Sequence, residues 1–187
     1  MEAFVHFLLQ KVYNSKRIEK KYIDSALSKT ILDVQYHHQQ LSDKDVVERI
    51  ITNNNELAVF LFRLGNELHQ KGADDLKSQI HWLLKELCGC EIYFNNEIGE
   101  GFYVVHGEGT VIGSRNKIGK GFKIHQGCTI GHKKNGSGSG NTIGNNVTLY
   151  ANSSIIGEVT IGDNVIIGAH MLITNNIPKD VVVTINK

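Results

Sequence analysis

One aliphatic residue recurs at every sixth position through the second half of the chain. Ile92, Ile98 and Val104 are six apart, as are Ile112, Ile118, Ile124 and Ile130, and then Ile143, Leu149, Ile155, Ile161, Ile167 and Ile173. Glycine follows at Gly99, Gly113, Gly119, Gly131, Gly144, Gly162 and Gly168. A repeat this short, with one inward aliphatic side chain, makes a short strand and a corner. Three repeats, about 18 residues, close one triangular coil, and stacked coils bury the ladder as a continuous core. The spacing therefore predicts a parallel β-helix.

Two insertions break the period: two extra residues between Val104 and Ile112, and seven between Ile130 and Ile143. The first falls just after His106 and should bulge the coil, turning that side chain outward into a groove. The second makes a loop over His132–Asn141, too rich in glycine and serine to pack a core and expected to be mobile. Counting through the first insertion stacks Ile124 on Val104 and Leu149 on Ile124. His125 then lies over Val105, and Tyr150 over His125. Adjacent parallel strands are about 4.8 Å apart, so His125 comes within side-chain reach of His106. The same count puts Ala151 and Ala169 in the column of His106.

Composition changes near Cys88. Before it, glycine is rare and apolar residues recur at helical spacing, which predicts a helical domain over residues 1–88 and a β-helical one over 89–187. Ser42 and Asp45 form a capping-box pattern opening a helix through Val46, Val47, Ile50 and Ile51. Asn53-Asn54-Asn55 breaks it. Leu57, Leu61, Leu64 and Leu68 make a stripe ended near Gly72, and Leu76, Ile80, Leu83, Leu84 and Leu87 make another ended by Gly89. A further helix is expected over Lys16–Tyr36, with its basic cluster and the pair His37-His38 on the surface.

The net charge of +1 argues against bulk attraction to nucleic acid or an anionic membrane. No apolar run approaches the roughly 18 residues of a membrane span. The apolar patch at Met1–Gln10 is interrupted by Glu2 and His6 and lacks a following cleavage site, so no signal peptide is predicted. Three cysteines without a disulfide framework suit a reducing cytoplasm. Cys88-Gly89-Cys90 has no second pair to complete a metal site and reads as free buried thiols. Cys128 reads as a small buried filler.

Glu91-Ile92, Ile98-Gly99-Glu100-Gly101 and above all His106-Gly107-Glu108-Gly109-Thr110-Val111-Ile112-Gly113 resemble the serine acetyltransferases, a branch of the hexapeptide-repeat acyltransferases. The resemblance implies an α+β chain, an N-terminal helical domain followed by a left-handed parallel β-helix. It implies a homotrimer with active sites between subunits, which the helical half can pair into a dimer of trimers. It implies acetyl-CoA as co-substrate, no metal, and His106 as general base. A hydroxyl is a poor nucleophile until a base takes its proton, and imidazole suits that task near neutrality. His125 is a second candidate, to position the acceptor or share the proton, with Tyr150 a weaker one. Gly131, Ala151 and Ala169 mark the strand edge where such enzymes hold the pantetheine arm, and Lys133 with Lys134 would meet the CoA phosphates or an acidic acceptor.

The chain departs from the family at named places. Val105 stands where an aspartate precedes the histidine, Ser114 where a glutamate follows, and the loop has lysines in place of an Arg-His pair. The chain ends at Lys187 without the family's Gly-x-Pro-Ala-Lys/Arg segment. These changes favour a cell-surface sugar hydroxyl as acceptor, with L-serine as the alternative. A zinc-dependent β-helix carbonic anhydrase using His106, His125 and His132, and a non-catalytic trimer, are remoter alternatives.

Overall fold

The computed structural model describes residues 1–134 and 137–185. Five helices precede the β-helix: α1 (Glu2–Leu9), α2 (Lys20–His37), α3 (Asp43–Thr52), α4 (Asn54–Gln70) and α5 (Lys77–Cys88). The Ser42–Asp45 capping box opens α3, Asn53 caps α4, and Gly89 ends α5 in the left-handed conformation. Two expectations need correction. α1 forms where only a patch was foreseen, burying Val5, Leu8 and Leu9. α2 starts at Lys20, not Lys16, because Lys16 exchanges backbone hydrogen bonds with the Gln79 side chain and Ile18 is fully buried.

The strands run in coil order. The first coil has β1 (Glu91–Ile92), β2 (Glu97–Ile98) and β3 (Tyr103–Val104); the second β4 (Val111–Ile112), β5 (Lys117–Ile118) and β6 (Lys123–Ile124). The third has β7 (Thr129–Gly131), β8 (Thr142–Ile143) and β9 (Thr148–Leu149); the fourth β10 (Ser154–Ile156), β11 (Thr160–Ile161) and β12 (Ile166–Ile167). β13 (Leu172–Ile173) and β14 (Val182–Val183) top the stack. They form three parallel sheets: β1-β4-β7-β10-β13, β2-β5-β8-β11 and β3-β6-β9-β12-β14. The predicted register holds, with Val104 paired to Ile124 and Ile124 to Leu149. The inward ladder is buried throughout, as the period requires.

Most corners carry a residue at positive φ. One corner column is Gly101, Gly121, Asn146, Asn164 and Asp180, all with φ between 55° and 82°. Glycine stands where Tyr36 of α2 covers the corner, since a Cβ at Gly101 would approach its ring to 2.7 Å. Above Tyr36 the corner is open and carries Asn and Asp, which tolerate this conformation and hydrogen-bond locally. Asn146 Nδ2 donates to Asn164 Oδ1 at 3.2 Å and Asn164 Nδ2 to Asp180 Oδ1 at 2.8 Å.

The first coil has backbone groups with no coil beneath them, an exposed edge that a solenoid must cover. Polar side chains of the helices take these groups. Asn66 Nδ2 donates to Phe94 O and Asn96 O, and Arg63 to Ile98 O and Gly99 O at 2.7 Å each. His37 Nε2 donates to Gly101 O at 2.8 Å, and Asn55 Nδ2 to Val105 O at 2.8 Å. Asp33 Oδ1 accepts from the amides of Gly101 and Phe102. Asp33 is itself in a two-pronged ion pair with Arg63, at 2.7 and 2.8 Å. Burial pushes the Asp33 carboxyl up from the usual aspartate range, against the pull of Arg63 and the two amides. α4, expected to show one apolar stripe, is buried on every face from Glu56 to Leu68 because it lies among α2, α3, α5 and the first coil. His37, expected at the surface, is half-buried beneath its bond to Gly101, and its ring lies 5.1 Å from that of Tyr103.

Candidate active site

The first insertion is His106-Gly107, and it bulges the corner between β3 and β4. Gly109 N–H donates to Gly89 O at 2.9 Å, and Thr110 N–H to Gly107 O at 3.0 Å, after which the coil is back in register at Val111. The bulge corrects one expectation. The corner bonds run Gly127 N–H to Glu108 O, Asn152 N–H to Gln126 O and His170 N–H to Ala151 O. Glu108, not His106, therefore fills the position below Gln126, Ala151 and Ala169. His106 is squeezed out of that column and exposed.

The bulge is clamped on several sides. Val105 N–H donates to Ile124 O at 2.9 Å while its carbonyl takes the bond from Asn55. At Gly107 a Cβ would approach Cys88 O to 2.9 Å, so the turn fits only glycine. Burial pushes the Cys90 thiol up to about 12, and it pushes Cys88 up as well, so neither is a thiolate near neutrality.

His125 stands over Val105, beside the bulge. Its ring stacks on Tyr150 with centroids 4.7 Å apart and planes 27° from parallel. Its amide donates to Leu149 O at 3.0 Å and its carbonyl accepts from Thr110 Oγ1 at 2.9 Å, so its backbone is fixed on both sides. Burial first, then His106 and Lys123, hold its imidazole below the ordinary histidine range. At neutral pH the ring is uncharged and offers one donor and one acceptor. His106 and His125 together can take a proton from a bound hydroxyl and orient it.

The expected CoA-binding residues divide between two corners. Ala151 and Ala169 lie on the His106 corner, where Ala151 O accepts from His170 and Ala169 is exposed. Gly131 closes β7 and Lys133 follows it, both at the next corner, so a single chain does not bring them to His106. Gly131 O accepts from Gly157 N–H at 3.0 Å, and the Lys133 stem packs at Gly157. The loop foreseen as mobile has Asn135 and Gly136 outside the described residues. Its described flanks are tied down: Arg115 donates to Gly138 O at 3.0 Å and Ser137 O at 3.2 Å, and Ser139 N–H to Glu158 Oε1 at 3.2 Å. His132 is at this second corner too, donating through Nε2 to Ser114 O at 2.8 Å. His106, His125 and His132 therefore do not converge within the chain. Cys128 is fully buried, with Sγ 3.1 Å from Tyr150 O.

Asn55 is the residue of this region that sequence reasoning missed. In the sequence it belongs to a break between helices, and only the fold shows that this break meets the His106 bulge at Val105. No helix among the described residues is long and apolar enough to cross a membrane.

Residues 142–175 match the family of the bacterial transferase hexapeptide (six repeats). The chain is 28% identical over 154 residues to a serine acetyltransferase of Helicobacter pylori, covering 79% of this chain and 90% of the relative. It is 30% identical over 142 residues to a serine acetyltransferase of Staphylococcus epidermidis, covering 75% of this chain and 67% of the relative. Among solved structures, serine acetyltransferase of Brucella abortus in complex with coenzyme A superposes with a TM-score of 0.73 at 20% identity, over 96% of this chain and 68% of that one.

Proposed function

The chain belongs to the serine acetyltransferase family of hexapeptide-repeat acyltransferases, and on that premise we propose that it moves the acetyl group of acetyl-CoA to the hydroxyl of L-serine. The observation that carries the reading is His106, exposed on a clamped bulge with the uncharged His125 beside it. His106 takes the hydroxyl proton as the oxygen attacks the thioester carbonyl. The carbon–sulfur bond then breaks, and the proton passes to the departing thiolate. His125 holds the hydroxyl in line. The backbone at Ala151 and Ala169 is where the pantetheine arm would run.

The relatives support serine over the cell-surface sugar that the altered positions favoured. The sugar remains the second reading on one observation: Val105 and Ser114 supply no carboxylate near His106. Gly131 and Lys133, remote from His106 in one chain, suit a homotrimer in which a neighbour's loop meets this corner. We assign the hand of the β-helix as left, the domains as 1–88 and 89–187, and the setting as cytoplasmic, on the same family grounds.

The test is release of CoA from acetyl-CoA with L-serine and with a panel of sugars. Serine should be the better acceptor, and His106→Ala should abolish transfer with either. Turnover of a sugar but not of serine would replace the first reading by the second, and full activity in His106→Ala would remove the assigned base.

A further inference from the structure

The outer face of the sheet that carries His125 bears one lysine and one imidazole in its named columns and no carboxylate. Its outward residues form two columns. One runs Tyr103, Lys123, Thr148, Ile166 and Val182; the other includes Val105, His125 and Tyr150. His37 and His38, at the end of α2, pack on Tyr103 with ring separations of 5.1 and 5.7 Å. Two carboxylates at the border of this face, Asp33 and Glu108, are placed off it. Asp33 is committed to Arg63 and the amides of Gly101 and Phe102. Glu108, two residues beyond His106, lies against the Cys88–Cys90 turn, its Cγ 3.6 Å from where a Cβ on Gly89 would be.

Lys123 is half-buried, and among the described residues it makes no ion pair or side-chain hydrogen bond. Its charge falls instead on imidazoles. His37 and His125 are both held below the ordinary histidine range, by burial first and with Lys123 as a further cause in each. A partly desolvated ammonium surrounded by groups that it repels when they are protonated is a place where an anion would be stabilised.

We propose that Lys123, with His125, holds an anionic oxyacid group of the hydroxyl acceptor, a carboxylate or a phosphate, and so selects acceptors that carry one. The inference rests on the acetyltransferase reading and names its acceptor class. The spacing suits it. Lys123 and His125 are two residues apart along one strand, about 7 Å, and the neighbouring strand, whose continuation Val105 leads into the His106 bulge, is about 4.8 Å away. The lysine stem adds reach of its own, so a hydroxyl at His106 and an acid group at Lys123 are a few bonds apart. L-serine meets that description, as does a phosphorylated sugar.

CoA release is measured for two pairs of acceptors: L-serine against L-serinamide, and glucose 1-phosphate against glucose. The acidic member of one pair should be preferred. Lys123→Met should raise the KM of that member about tenfold, the size of a partly buried ion pair, with the KM of acetyl-CoA unchanged. Lys123→Arg should restore most of it. The serine pair and the sugar pair separate carboxylate from phosphate. A neutral acceptor used as well as its acidic partner, or a preference unchanged in Lys123→Met, overturns the proposal. If no acceptor is acetylated, the transferase reading fails, and the anion site is then judged alone by NMR titration of His125 with inorganic phosphate. A midpoint raised by phosphate in the parent protein and not in Lys123→Met supports the site, and no response in the parent protein rejects it.

Discussion

Replacing Arg63 by methionine tests whether the helices hold the β-helix through its first coil. The substitution keeps much of the stem volume but removes both bonds to Asp33, which is fully buried, and the bonds to Ile98 O and Gly99 O. Breaking a buried pair from one side typically costs about 3–5 kcal/mol, because the orphaned charge keeps its desolvation penalty. For a chain of this length that is a fall in Tm of about 6–20 °C. The loss should depend on pH. Burial already raises the Asp33 carboxyl, and without the guanidinium nothing but the two amides opposes it. A carboxyl whose folded pKa exceeds its unfolded one retains stability below the ordinary aspartate range and loses it as pH rises through the folded value. The deficit of Arg63→Met should therefore be largest at neutral pH and shrink towards acid. Adding Asp33→Asn, which keeps an acceptor for Gly101 and Phe102, should recover part of it. Thermal unfolding followed by circular dichroism at several pH values reads all three. A deficit below about 1 kcal/mol, or one equal at all pH values, would refute the assignment of the pair as a buried clasp.

Further outcomes follow from the site and the corners. Asn55→Ala should lower kcat roughly tenfold while leaving the KM of acetyl-CoA alone, since small displacements of a reacting group are costly; Asn55→His, which can place a ring N–H near the same point, should recover part. His106→Ala removes one cause of the depressed His125 pKa, so the His125 midpoint followed by NMR should move up towards the ordinary histidine value. Gly127→Ala should cost about 1–3 kcal/mol, because φ there is 66° and the new methyl would collide with the Asn152 side chain; urea unfolding measures it. Cys90, pushed up to about 12, should resist alkylation at pH 8 until the protein unfolds.

The β-helix was legible because its signal is one of spacing. A six-residue period fixes which residues point inward, and counting past the insertion fixed the stacking of His125 over Val105 and of Tyr150 over His125. The same counting misplaced His106 relative to Ala151 and Ala169, because a period cannot say which of two inserted residues leaves the column. The helical half was legible only in outline. Asn55, Arg63 and Asn66 sit within or beside apolar stripes, and their meaning depends on carbonyls about 30–50 positions away in the chain that only the fold brings near. A charged residue inside the apolar run Leu57–Leu64 was the available signal for Arg63. For Asn55 there was none.

The corner column that changes from glycine to asparagine and aspartate has a consequence for the length of the solenoid. The first two coils are fitted to Tyr36 and therefore to one particular helical half. Above them Tyr36 reaches only Asn146 of the third coil, and from there the corner is completed by the side chains of the coils themselves, so its fit is indifferent to how many coils follow. Chain length is then a free variable in this part of the molecule. Duplicating the sequence of the fourth coil would add a storey without disturbing the corner that bears His106. A comparable duplication between the first and second coils would part Tyr36 from Asn146, which its hydroxyl bonds at 3.1 Å, and would have no helix to meet it.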